Sequence, residues 1–203
     1  MLSLDEGEYL IKLARKAIGT YLEKRVAINP DKPPASLLAE RGVFVTIETY
    51  PEKELRGCIG YPYPVKELAK SVVDCAINSA TGDPRFPGMN RRELDRCTIE
   101  ISVLTVPEVI KVNDPKEYPK CIKVGRDGLI VEYGYYSGLL LPIVPVEQKW
   151  DEEDFLSQTC HKAGVPVDTW LSPRVKIYNF QSQVFKEEKP GGRIVEVALE
   201  VGK

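Results

Sequence analysis

The residues best suited to chemistry stand in one short run, Leu55-Arg56-Gly57-Cys58-Ile59-Gly60. A cysteine between two glycines, with an arginine close before it, is the pattern of an accessible and charged thiol. Read as a strand, the run alternates its side chains. Arg56, Cys58 and Gly60 then share one face, and Leu55, Gly57 and Ile59 the other. Arg56 and Cys58 would lie roughly 6.6 Å apart along such a strand. A guanidinium at that range favours thiolate and lowers the pKa of the cysteine. Gly60 would leave room beside the thiol for a ligand or another backbone, and Gly57 would admit close packing from the core side. The plainer account is that glycines mark a bulge and that cysteine is a common small core residue.

A cysteine nucleophile calls for a base. The single histidine, His161, follows Cys160 on a segment with helical spacing, about 100° round from its apolar face. There it suits the helix C-terminal dipole better than catalysis. Asp83 and Glu100 are the carboxylates that could serve instead. Asp83 opens a second candidate segment, Asp83-Pro84-Arg85-Phe86, stiffened by Pro84 and Pro87. Arg85 could grip an anion in bidentate fashion. The alternative is that Asp83 caps a turn and Phe86 plugs the core. Arg91-Arg92 reads as a solvated pair, and the Tyr133 to Tyr136 run as cross-strand packing or a stacking surface. Five cysteines, odd in number and without a CxxC, make a poor disulfide framework and a poor zinc site. No P-loop, GxGxxG, GxSxG or HExxH occurs, so the chain names no cofactor and no metal.

These candidates need elements to hold them. Ser3 to Glu6 is a capping box, followed by an amphipathic helix ending near Arg25. A proline-rich stretch, 29–34, breaks the chain before a short helix over 35–41. Val43, Val45 and Ile47 alternate as a strand, residues 50–54 turn, and Leu55–Gly60 return as the second arm of a hairpin. Pro64 suits the first position of a helix running to Gly82. Asn90 with Glu93 starts another helix, and Ile99 to Val103 is a strand. Residues 121–132 read as a hairpin around Gly125–Gly128. Asp151 caps a helix bearing Phe155, Leu156, Cys160 and Ala163. Val175–Phe185 reads as one strand, and Val195 to Val201 as a last strand pairing with its own sheet or another chain.

Helices and hairpins mixed without strict alternation give an α+β fold, with a mixed, largely antiparallel sheet and flanking helices. The 203 residues read as one domain with two lobes, and 1–9 and 188–203 as peripheral. The composition, 43% hydrophobic and 29% charged, is that of a globular chain. A net charge of −2 argues against a broad nucleic-acid surface. No apolar run reaches transmembrane length and the N-terminus is acidic, so the expected location is the cytoplasm.

LRGCIG, the DPRF segment and Glu100–Leu104 (EISVL) together resemble the AMMECR family. Val124–Glu132 (VGRDGLIVE), Gly138–Pro142 (GLLLP), the Trp150–Gly164 segment and Phe180–Glu187 extend the resemblance from about Leu10 to Glu187. It implies an α+β fold with a larger and a smaller lobe, a cleft between them, and LRGCIG as signature. It implies no defined activity; roles in transcription, replication, repair or translation have been suggested for the family. Some relatives are fused to, or encoded beside, a Memo-type domain and a radical SAM protein, which makes these candidate partners. One departure is visible. The family often carries Gln or Glu after Leu141-Pro142, where this chain has Ile143. Two readings follow, with RNA or DNA binding as a weaker third. One is a small-molecule or enzymatic cleft with Cys58 as candidate nucleophile and Arg56, Gly57, Gly60, Asp83, Arg85, Phe86 and Glu100 as binding residues. The other is a module that docks on a protein partner.

Overall fold

The computed structural model describes residues 1–198. In chain order the elements are α1 (Leu4–Lys24), β1 (Val43–Thr49), β2 (Leu55–Tyr61), α2 (Leu68–Thr81), α3 (Arg91–Leu94), β3 (Cys97–Leu104) and β4 (Glu108–Val109). They continue with α4 (Tyr118–Cys121), β5 (Gly128–Tyr133), β6 (Tyr136–Leu140), α5 (Ile143–Gln148), α6 (Glu152–Lys162), β7 (Lys176–Phe180), β8 (Ser182–Glu187) and β9 (Ile194–Val197). The fold is α+β, as its residue pattern indicates. The chain forms two compact units, each with its own apolar core.

The first unit comprises Met1–Leu104 with Gln183–Val197. Its sheet has the order β2-β1-β3-β8-β9. The capping box forms as the sequence dictates. Ser3 N–H donates to Glu6 at 2.6 Å, and Glu6 N–H to the Ser3 hydroxyl at 3.3 Å. The apolar stripe of α1 (Leu10, Ile11, Ala14, Ile18) and that of α2 (Leu68, Val72, Ala76) bury against Val45, Ile47, Ile99 and Ile101 of the sheet. Each leucine, isoleucine or valine among them contributes about 1.5–3 kcal/mol when taken fully from water. Residues of both segments expected at the periphery, 1–9 and 188–203, join this core. Leu2 and Ile194 are buried, and the Gln183 amide exchanges hydrogen bonds with both main-chain groups of Leu2 at 2.7 and 2.8 Å. β9 pairs antiparallel with β8 over Ile194–Val197. Residues 199–201 of the expected last strand lie outside the described residues.

The second unit consists chiefly of Thr105–Ser182, with the sheet order β4-β7-β5-β6. Here α6 buries Phe155, Leu156 and Cys160 against Leu129, Val131 and Ile177. Asp151 caps α6 at 2.8 Å, and Gly164 follows it in the left-handed region at φ +78°.

Three expectations fail for identifiable reasons. The second helix begins at Leu68, not at Pro64. Glu67 stays extended in a bridge to Glu40, and Leu68 N–H donates to the Ala39 carbonyl. The hairpin of the second unit is β5–β6, turning at Gly134-Tyr135, rather than 121–132. Tyr118–Cys121 are helical, and residues 123–127 close a tight turn in which Asp127 N–H donates to the Lys123 carbonyl at 3.0 Å. Val175–Phe185 is not one strand. Gln181 interrupts it, donating to the Thr105 hydroxyl at 2.9 Å, and β7 and β8 enter different sheets.

Candidate functional site

β2 carries LRGCIG and is the edge strand of its sheet. Its register on β1 pairs Thr46 with Cys58 and Ile47 with Gly57, then Glu48 with Leu55. Arg56 is the extra residue of a bulge, so strict alternation ends there. The expected Arg56–Cys58 pair does not form. Arg56 instead donates Nε and Nη2 to Glu93 at 3.2 Å each, and Nη2 to the Pro87 carbonyl at 2.9 Å. Its Nη1 is buried without a hydrogen-bond partner among the described residues.

The cation that serves Cys58 is Arg85. An edge strand leaves outward N–H and C=O groups to satisfy. At Cys58 both are taken by the DPRF segment. Cys58 N–H donates to Asp83 Oδ2 at 2.9 Å, and Arg85 Nη2 donates to the Cys58 carbonyl at 3.2 Å. Arg85 also donates Nε to Asp83 Oδ1 at 3.0 Å and Nη2 to Oδ2 at 2.7 Å. The ion pair thus brackets one residue, holding the N–H of the peptide before Cys58 and the carbonyl of the peptide after it. Asp83 is buried, and the Arg85 hydrogen bonds hold its carboxyl well below the usual carboxylate range. It is no candidate for a base near neutral pH. The guanidinium carbons of Arg85 and Arg56 lie 5.5 and 5.9 Å from the centre of the half-buried Phe86 ring. Phe86 is therefore a platform for two cations rather than a core plug.

The Cys58 thiol is half-buried and accepts from Thr46 Oγ1 at 3.3 Å. Burial pushes it up, the opposite of the direction expected from the sequence. The Thr46 hydrogen bond and the Arg85 charge pull it down, while Asp83 and Glu100 push it further up. At neutral pH Cys58 is a thiol. Cys75 and Cys160, fully buried, are pushed further, to about 12 and about 11. Thr46 pairs with Cys58 on one side and Glu100 on the other. Cys58, Thr46 and Glu100 therefore form a row across three strands, on the sheet face opposite α1 and α2.

The two glycines do different work from that expected of Gly60. A side chain at Gly57 would collide with the Ser79 carbonyl of α2. That contact lets the Ser79 hydroxyl enter the hairpin seam, accepting from Ile59 N–H at 2.8 Å and donating to the Val45 carbonyl at 2.7 Å. The space beside Gly60 is filled by the Phe44 ring, so it holds no ligand. Ser79 and Thr46 escaped notice in the sequence. A serine on the buried stripe of a helix and a threonine opposite Cys58 in the hairpin were the available signals. His161 sits on α6, in the second unit. Among the described residues no group of three His, Cys, Asp or Glu is placed to hold a metal, and no helix is long and apolar enough to cross a membrane.

The AMMECR1 family model matches residues 11–185. Protein MK0488 of Methanopyrus kandleri is 55% identical over 96% of this chain and 95% of its own length. Protein MJ0810 of Methanocaldococcus jannaschii is 50% identical over 98% of each. The crystal structure of the uncharacterized protein PH0010 from Pyrococcus horikoshii superposes with a TM-score of 0.92 at 51% identity, covering 96% of this chain and 98% of that one. The residues that build the bracketed cysteine lie within a match that spans nearly the whole sequence: the chain belongs to the AMMECR1 family.

Proposed function

We propose that the sheet face around Cys58 binds a small anionic molecule. Arg85 is the anchor, and Cys58 and Glu100 are the groups that meet the ligand. The observation that carries this reading is the Asp83–Arg85 bracket. It fixes the Cys58 peptide while leaving the Arg85 side chain 51% exposed. Its Nε and Nη2 are engaged, and Nη1 is the donor assigned to a ligand oxygen. Where chemistry follows binding, Cys58 is the nucleophile or proton donor. Because its thiol is neutral at pH 7, attack needs a base, and Glu100 is the carboxylate in the same row. The test is a backbone-amide NMR titration with acetate, succinate and benzoate. Shifts at Cys58, Arg85 and Phe86 that vanish in Arg85→Ala are expected. Shifts absent there, or unchanged in that variant, defeat the reading.

A second reading, a module that docks on a protein such as a Memo-type partner, draws on the β5–β6 turn. Tyr135 is fully exposed and Tyr136 is 57% exposed there, and Arg174 stacks 5.3 Å from the Tyr133 ring. Tyrosine and arginine are enriched at interfaces. Gel filtration with a Memo-type protein tests it. A complex lost in a Tyr135→Ala, Tyr136→Ala variant supports docking through this turn. No complex, or one indifferent to the change, contradicts it.

A further inference from the structure

We infer that the first unit holds a second site, independent of Cys58, for the phosphate of a small phosphorylated organic molecule. A cavity of about 440 Å³ lies between α1, the α3 segment and the connection from β8 to β9. That volume falls within the range of small-molecule sites.

The floor is rigid and electrically balanced. Arg15 donates Nε and Nη2 to the two oxygens of Glu187, and Nη1 and Nη2 to the carbonyls of Leu94 and Cys97. Glu187 also accepts from Ile99 N–H at 3.0 Å. At the rim Arg91 bonds Glu23 at 3.0 Å and Asp95 at 2.5 Å. These two arginines engage all three carboxylates of the lining, so with Lys12 and Lys16 the four cations exceed the carboxylates by one positive charge.

What remains is Lys12 and Lys16, one turn apart on the same face of α1. Lys16 has no ion-pair partner among the described residues. Among the described residues Lys12 meets only Glu8, at a side chain 68% exposed, where an i,i+4 pair is weak and exchangeable. Thr20 continues the same face and also lies in the lining. Opposite stands the Gly191-Gly192 turn. Gly191 has φ +63° and nothing within 4 Å of the place a side chain would take. A ligand there meets bare backbone.

The chemistry selects a phosphate over a carboxylate. The planar forks that suit a carboxylate belong to arginine, and both arginines here are committed. Two ammonium groups, compact point charges with rotatable donors, impose no planar geometry and so accept a tetrahedral oxyanion. Leu94 and Ile194, buried behind the lining, back the cavity with apolar side chains. The cavity is also larger than an inorganic phosphate requires.

The experiment is an amide NMR titration of the full chain with inorganic phosphate, AMP and adenosine. AMP should shift Lys16, Thr20, Gly191 and Gly192, bind more tightly than inorganic phosphate, and weaken as salt rises. Adenosine should shift none of them. Lys16→Ala should weaken AMP about tenfold or more, and Lys16→Arg by less. Arg85→Ala should leave AMP binding unchanged, which separates this site from the Cys58 face. No shifts at these amides, equal shifts with adenosine, no gain of AMP over inorganic phosphate, or indifference to Lys16→Ala would each overturn the inference.

Discussion

Asp83 and Asp127 are both buried, and each carries an arginine on its carboxylate. Asp127 takes Arg126 Nε at 3.0 Å and Lys123 N–H at 2.8 Å, a partner four residues back. Asp83 takes Arg85 and the N–H of Cys58, twenty-five residues back. The device is the same and its reach differs. The first closes a turn in its own segment. The second ties a loop to the edge strand of a sheet and fixes the peptide on which the thiol stands. Sequence distance, rather than residue type, decides whether a buried aspartate–arginine pair shapes a turn or braces a site.

Breaking the long-range member should cost most. Asp83→Ala leaves Cys58 N–H unpaired and frees Arg85. A stability loss of about 2–4 kcal/mol is expected in urea denaturation, moderated because Arg85 can reach water. Acid undoes the same contact. The folded carboxyl is depressed, so its contribution is complete above the ordinary carboxylate pKa. It is lost as pH falls through about 4 toward the folded value. Asp83→Asn should flatten this acid limb in a series of urea melts between pH 6 and pH 2. A wild-type limb no steeper than that of the variant would contradict the bracket.

The short-range member should cost less. Asp127→Ala is expected to lose about 1–2 kcal/mol, with the alkylation rate of Cys58 unchanged. A slower or faster Cys58 in that variant would end the distinction between the two aspartates. The smallest effect belongs to Thr46→Val. Losing the hydroxyl should raise the Cys58 thiol further and slow its alkylation about threefold at fixed pH, with little change in stability.

The same contrast of reach explains what the sequence could show. Local devices were legible: the Ser3–Glu6 box, the Asn90–Glu93 box, the β1–β2 hairpin and the Asp151 cap. So was the grouping of LRGCIG with DPRF, through family resemblance. The wiring of the site was not. A one-residue bulge at Arg56 redirected a guanidinium that strict alternation had aimed at Cys58. The space beside Gly60 went to Phe44, across the hairpin. Periodicity reports which face a residue takes while the register holds, and it carries no information on where the register slips. Nor could it show Ser79 entering a seam between two strands from a helix that follows them.

Cys58 is held by Asp83 and Arg85 and kept neutral by burial. The most direct test is the alkylation rate of Cys58 as a function of pH, followed by mass spectrometry on the intact chain beside a free-cysteine peptide. A midpoint above that of the peptide is expected. A midpoint at or below it would show a thiolate-prone cysteine and contradict the claim.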